Sequence, residues 1–214
     1  MQTVLRKSRQ AITEVCRGAD PQDEYFLVTF ANRAFSEVDF TPNCGDIQER
    51  LLWMPAHGDT SLIDGTYLGF QQVRRARNMH KALILVSDGG ENASRFSAAE
   101  LKELAVETDA QLYAVGIGSF KPDGPVEEEE GPELMSDLAR FTGGRYFEIG
   151  SPRDLQNCAR QIAAELRNEY VIGYGISALK RSGRYHTVSI KIKRNLGQPR
   201  FSASWRRQYY YPKQ

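Results

Sequence analysis

The chain has 214 residues, of which 41% are hydrophobic and 26% charged, and its formal net charge is +1. This is the composition of one large globular domain, or of one domain with an appendage. It excludes a membrane-spanning helix, because no apolar stretch approaches the roughly 18 residues required.

Positions 4, 5, 8, 11, 12, 15 and 16 carry Val, Leu, Ser, Ala, Ile, Val and Cys, the spacing of one helix face. Gly18 ends that helix, and no apolar core of a signal peptide precedes it. Residues 26–30 read as a strand, 34–40 as a second, and 46–53 as a short helix stopped near Pro55. Residues 62–77 read as a longer helix with Arg74, Arg75 and Arg77 at its carboxyl end, where cations suit the helix dipole. A hydroxyl-bearing turn, Asp59-Thr60-Ser61, opens it, and as pure structure Asp59 or Thr60 is its N-cap.

Residues 82–86 form an unbroken apolar run without alternation, the pattern of a strand buried on both faces. The run stops at Ser87-Asp88-Gly89-Gly90. Open α/β sheets bind ligands beyond the carboxyl ends of their strands, and Asp88 falls there. Ser97 with Glu100 forms a capping box for the next helix. Residues 112–117 are a second buried strand. Residues 121–132, rich in Pro, Gly and Glu, read as a solvated mobile insertion. The consecutive carboxylates of 127–130 lack the turn geometry of a calcium loop. A helix over 133–141, a strand over 145–149 and an amphipathic helix over 151–168 complete a helix–strand alternation, the α/β signature.

The remainder changes character. Residues 170–174 read as a strand. Val188, Ile190 and Ile192 alternate with polar residues, as do Phe201, Ala203 and Trp205, so the three segments suggest an antiparallel meander with one wet face. Residues 180–214 hold ten Lys or Arg and no acid, so the tail carries +10 and residues 1–179 carry −9. Tail packing on an acidic body accounts for this split without nucleic acid. Strand-edge packing likewise accounts for Trp205 and Tyr209 to Tyr211, which alternate with basic residues. Cys16, Cys44 and Cys158 are odd in number and lack metal spacing, so no disulfide framework is expected, and Cys16 and Cys158 read as small buried hydrophobes.

The turn at Thr60, the sequence Val86-Ser87-Asp88-Gly89 and their order resemble a von Willebrand factor A domain. Leu166 to Tyr174, the basic strand and the closing Tyr209 to Pro212 resemble the carboxyl end of the von Willebrand A-related proteins of Acidobacteria. The resemblance implies a metal-ion-dependent adhesion site. There Thr60 matches the second-loop ligand and Asp88 the third-loop ligand. The family's first element, an Asp-x-Ser-x-Ser turn after the first strand, has no counterpart and would lie before Met1. The resemblance thus implies an amino-terminally truncated chain.

The expected architecture is therefore α/β: a Rossmann-like, mostly parallel sheet flanked by helices over residues 1–168, lacking its first central strand, with a β meander over 169–214. The family's strand order places the absent strand between 26–30 and 82–86, leaving two unpaired edges. The resemblance implies a non-catalytic protein-binding module. Mg²⁺ or Mn²⁺ would be held weakly or not at all, an acidic side chain of a protein partner would complete the cation shell, and another chain could donate a strand. It also points to a secreted or periplasmic location. A scaffold with a dead cation site is one alternative. Another is a doubly wound hydrolase or nucleotide-using enzyme with Asp88 as its working carboxylate. Against the enzyme, no second acid, phosphate loop, Gly-x-Ser-x-Gly elbow or dinucleotide fingerprint accompanies Asp88, and His57, His80 and His186 have no ligand-spaced partner.

Overall fold

The computed structural model describes residues 2–18, 20–54, 59–118, 126–170, 172–173, 184–193 and 203–211. Its centre is a parallel sheet of β3 (Ala82–Ser87), β4 (Gln111–Ile117) and β5 (Tyr146–Ile149), in that order. β4 lies between two neighbours, and six of its seven residues are buried. Its side chains alternate between two cores. Leu112 and Ala114 enter one that is built from α3 (Leu62–Val73), α4 (Ala98–Glu107) and α5 (Val126–Thr142). Tyr113, Val115 and Ile117 enter the other, against Ala11 of α1 (Gln2–Arg17) and Leu155, Cys158 and Ile162 of α6 (Pro152–Arg167). Helices thus cover both faces, which is why these strands are mostly apolar.

β1 (Tyr25–Phe30) and β2 (Ala34–Thr41) form a separate antiparallel hairpin. Leu27 packs on Ile47 and Leu51 of α2 (Cys44–Leu52) and on Leu5 and Ile12 of α1. α1 and α2 are joined at both ends. The Arg9 guanidinium donates to the carbonyls of Leu51 at 2.7 Å and Leu52 at 3.0 Å, satisfying acceptors that a helix end leaves open. At the opposite ends, Cys16 and Cys44 form a disulfide with a Cα–Cα distance of 5.7 Å. This corrects the reading of Cys16 as a thiol packed like a small hydrophobe. The helix face that pointed its sulfur inward faces the start of α2. Cys158 is the buried free cysteine among the described residues.

The capping box expected at Ser97 is present, and α6 has a second one that the sequence reading did not mark. Ser97 accepts from the Glu100 N–H while Glu100 accepts from the Ser97 N–H, and Ser151 and Asp154 do the same for α6. Other boundaries differ from expectation. α3 stops at Val73, before the three arginines, and its N-cap is Ser61, so neither Asp59 nor Thr60 caps it. The expected insertion 121–132 is helical from Val126, with Pro132 inside α5, while 121–125 fall outside the described residues. Four glutamates in a row are good helix formers, and that propensity prevails over the punctuation of Gly131 and Pro132.

Among the described residues of the expected meander the strands are β6 (Arg184–Thr187) and β7 (Gln208–Tyr211), paired antiparallel, while Phe201 lies outside the described residues. Val188 to Ile192 and 203–205 lie outside any ladder. The last links are Val188 N–H to the Arg207 carbonyl at 2.8 Å and Trp205 Nε1 to the Val188 carbonyl at 3.0 Å. Alternation marks an extended chain with one wet face, but a strand also needs a hydrogen-bonding neighbour. The expected strand 170–174 is also absent among its described residues, where Tyr170 and Ile172 are exposed. The hairpin's approach rests on the body. A Cβ on Gly143 would stand 2.6 Å from the Arg206 nitrogen, and Arg206 pairs with Asp109 at 3.4 Å.

β1 and β3 do not pair with each other. Between them lies a cleft of about 660 Å³.

Candidate functional site

Two loops meet at one end of this cleft. The first, Asp59 to Ser61, leads into α3. It is fixed to the β1–β2 turn by Asp59 N–H donating to Asn32 Oδ1 at 2.6 Å and Ser61 N–H to the Ala31 carbonyl at 2.8 Å. The second follows β3. Asn92 joins the two: its Oδ1 accepts from Thr60 N–H at 2.9 Å, and its own N–H donates to the Thr60 carbonyl at 3.0 Å.

The second loop also caps α3. Glu91 Oε2 accepts from Ile63 N–H at 2.8 Å, and Ser94 Oγ accepts from Ile63 and Asp64 N–H at 3.1 and 3.2 Å. Buried Asp64 answers by accepting from the N–H groups of Arg95 at 2.8 Å and Phe96 at 3.0 Å. These are the donors that a helix start leaves unpaired, and they are satisfied from 28 to 31 residues away. Asn92, Glu91, Ser94 and Asp64 are thus the positioning residues of the site. Sequence reading assigned them no role, because their partners are remote in the chain.

Gly89 turns the backbone after Asp88 with φ +93°, a conformation that favours glycine. A Cβ there would meet Pro132 at 2.9 Å, so α5 presses directly on this turn.

Thr60 and Asp88 both line the cleft, and a Cβ on Gly90 would stand 3.4 Å from Thr60 Oγ1. Asp88 is exposed and Thr60 half-buried. Among the described residues neither the Thr60 hydroxyl nor the Asp88 carboxylate takes part in a hydrogen bond or ion pair. Next to them the Ser61 hydroxyl is fully buried and has no hydrogen-bond partner. In kind, a hydroxyl and a carboxylate are the oxygen ligands that Mg²⁺ and Mn²⁺ take. In number, they supply two of about six. No group of three or more His, Cys, Asp or Glu side chains that could hold a metal gathers among the described residues.

The ends of the flanking strands fix their direction. The carboxyl ends of β1 and β3 both reach the Asp59–Ser61 loop. At the other end, Glu24, just before β1, accepts from the N–H groups of Arg77 and Asn78, just upstream of β3. Asn78 Nδ2 also donates to the Gln22 carbonyl at 3.0 Å. β1 and β3 therefore run the same way on opposite walls of the cleft.

No protein-family model and no curated protein matches the sequence. Solved structures do match the fold. A von Willebrand factor type A protein from Catenulispora acidiphila superposes with a TM-score of 0.64 at 15% identity, over 78% of this chain and 39% of that one. The conserved hypothetical protein BatB from Bacteroides thetaiotaomicron gives 0.60 at 17% identity, over 77% and 89%. The pilus adhesin SpaC from Lactobacillus rhamnosus GG, in its open conformation, gives 0.57 at 13%, over 76% and 27%. The chain thus has a von Willebrand A-type fold.

Proposed function

We propose that this von Willebrand A-type chain is a non-catalytic protein-binding module whose Thr60 and Asp88 offer oxygens to Mg²⁺ or Mn²⁺. The observation that carries the reading is the pair itself: two hard oxygen ligands on abutting loops, both unengaged by described residues. A cation held there takes the rest of its shell from water, so its affinity for the chain alone is low. An acidic side chain from a partner protein would replace some of that water, and the cation would then bridge the two molecules. The adhesin among the structural neighbours accords with such a role. The Cys16–Cys44 disulfide favours an oxidising compartment, secreted or periplasmic. Among the described residues β1 and β3 each have one unpaired edge, which leaves the module open to strand donation from another chain.

Calorimetric titration with Mn²⁺ tests the cation site. The expected result is binding weaker than about millimolar, the weak end of protein cation sites, that disappears in Asp88→Ala. Binding unaffected by Asp88→Ala removes the assignment. Sub-millimolar binding that Asp88→Ala abolishes shows instead that the chain holds a nearly complete site.

A further inference from the structure

We propose that the carboxyl-terminal tail sets the geometry of the candidate cation site through α5. Its Trp205–Arg206 segment seats one end of that helix, and the other end backs the turn after Asp88. The proposal rests on the reading of Thr60 and Asp88 as cation ligands and names what holds them in place.

At its amino-terminal end α5 meets the site without slack. A Cβ on Gly131 would stand 1.7 Å from the Gly89 carbonyl oxygen, so the helix backbone lies directly on that peptide. From the other side, a Cβ on Gly89 would stand 2.9 Å from the Pro132 ring, which is tied to its own backbone and cannot turn away. The Gly89 N–H is held as well, donating to the buried Ser87 hydroxyl at 3.1 Å. The next residue, Gly90, abuts the Thr60 hydroxyl. The Gly89–Gly90 turn therefore spans from one proposed ligand to the other, and α5 backs it.

The helix carries this contact as one body. Met135, Leu138 and Ala139 are buried in the core that α5 shares with α3 and α4. From Gly131 to Thr142 the helix runs ~17 Å at 1.5 Å per residue. A close-packed interior passes a displacement on over such a length instead of absorbing it.

At the carboxyl-terminal end the tail rests on the residue that follows the helix. A Cβ on Gly143 would stand 2.6 Å from the Arg206 nitrogen and 2.7 Å from the Trp205 carbonyl carbon, so backbone again lies on backbone. This junction is also where α5 is tied to the sheet, because Thr142 Oγ accepts from the Leu112 N–H at 2.9 Å. Arg206 holds the tail there by its pair with Asp109, and β7 lies against α4. Trp205 Nε1, donating to the Val188 carbonyl, joins the two arms of the tail at the same point. One helix thus has a backbone contact with the tail at one end and with the site at the other. The tail is thereby a second input to the site, remote from both ligands.

The test uses the full ¹⁵N-labelled chain and first reads the amide signals of Gly89, Gly90 and Asn92 without divalent cations. Arg206→Ala, which releases the pair with Asp109, and Gly131→Ala, which pushes on the Gly89 carbonyl, should both move these signals. Ser151→Ala, which removes the α6 cap, controls for lost stability alone and should leave them in place. Mn²⁺ is then titrated, and the signal broadening that Asp88→Ala removes is followed. Arg206→Ala should weaken Mn²⁺ binding by at least about twofold, the low end for residues lying between coupled sites. The direction is diagnostic, because the loss of a positive charge would by itself strengthen cation binding. Signals that stay in place in Arg206→Ala or Gly131→Ala overturn the proposal, as do signals that move equally in Ser151→Ala. Mn²⁺ binding that is unchanged or tighter in Arg206→Ala overturns it too. If the wild-type chain shows no such broadening, the cation reading fails, and the amide signals still decide whether the tail acts on the turn.

Discussion

Breaking the Cys16–Cys44 bond should remove a large share of the stability of this fold. The bond closes a loop of 28 residues. In the chain-entropy description a loop of that length restricts the unfolded chain by about 12 cal/mol/K, or ~3.6 kcal/mol at 25 °C. Against a typical domain stability of about 5–15 kcal/mol, that is a quarter or more. The effect falls on the hairpin side, where α2 covers β1 through Ile47 and Leu51. Urea melts of the oxidised protein, the reduced protein and the Cys16→Ser, Cys44→Ser double variant measure it. With a slope of about 1–3 kcal/mol/M, the midpoint should fall by about 1–4 M in both altered forms. A thiol count with DTNB runs alongside. Burial pushes the Cys158 thiol up to about 12, so the native chain should be silent. Unfolded without reductant it should show one thiol, and after reduction three. An unchanged midpoint on reduction, or three thiols without it, refutes the reasoning.

Gly144→Ala should destabilise the chain by about 1–3 kcal/mol in urea melts, because the new Cβ would stand 2.0 Å from the Leu112 carbonyl oxygen, a backbone atom that cannot turn aside. A wild-type midpoint would show that β5 is not seated against β4 as described. The capping boxes make an acid-sensitive contribution. The Ser97 N–H and then its hydroxyl hold Glu100 below its ordinary value, and the Ser151 hydroxyl and then its N–H do so for Asp154. Since the folded values are depressed, this stabilisation is complete above the ordinary carboxylate range and is lost as pH falls through it. Ser97→Ala and Ser151→Ala together should therefore lower the urea midpoint at pH 7, because each removes an N-cap. They should flatten the decline between pH 5 and 3; a steeper decline in the variant contradicts the caps.

The parts of the fold legible in the sequence are those where neighbours in the chain decide the structure. The run before Asp88 marks β3 because a doubly covered strand is built mainly from apolar residues. Ser97 with Glu100 marks the start of α4 because both partners lie within one turn. Thr60 and Asp88 become a pair only through the resemblance to the von Willebrand A family, since local pattern places one before an apolar helix and the other after an apolar strand without linking them. What stayed hidden is long-range. Cys16 and Cys44 are 28 residues apart, and their spacing alone cannot distinguish a bond from two thiols. The capping of α3 by Glu91 and Ser94 has no local trace, since Ser61, the residue in the N-cap position, makes no side-chain cap at all. In the tail, the alternation at Val188, Ile190 and Ile192 records which side is wet. The ladder depends on where Gln208 to Tyr211 come to rest, and so falls on Arg184 to Thr187 instead.

The division of the strands into two sheets has a consequence for how this molecule comes apart. Among the described residues no backbone ladder joins the β1–β2 hairpin to β3–β4–β5, so the two are held together through helices and a few loop hydrogen bonds at the ends of the cleft. α3 meets the hairpin at Phe30 and the sheet at Leu83, and α1 touches both the α2 side and the α6 side. A continuous sheet resists opening through rows of short, directional bonds that break together. Side-chain packing yields in smaller steps and has no fixed register to restore. The seam between the halves is therefore the natural line of sub-global opening. The hairpin with α1 and α2 can separate as one cooperative unit while β4, enclosed on both sides, keeps its protons.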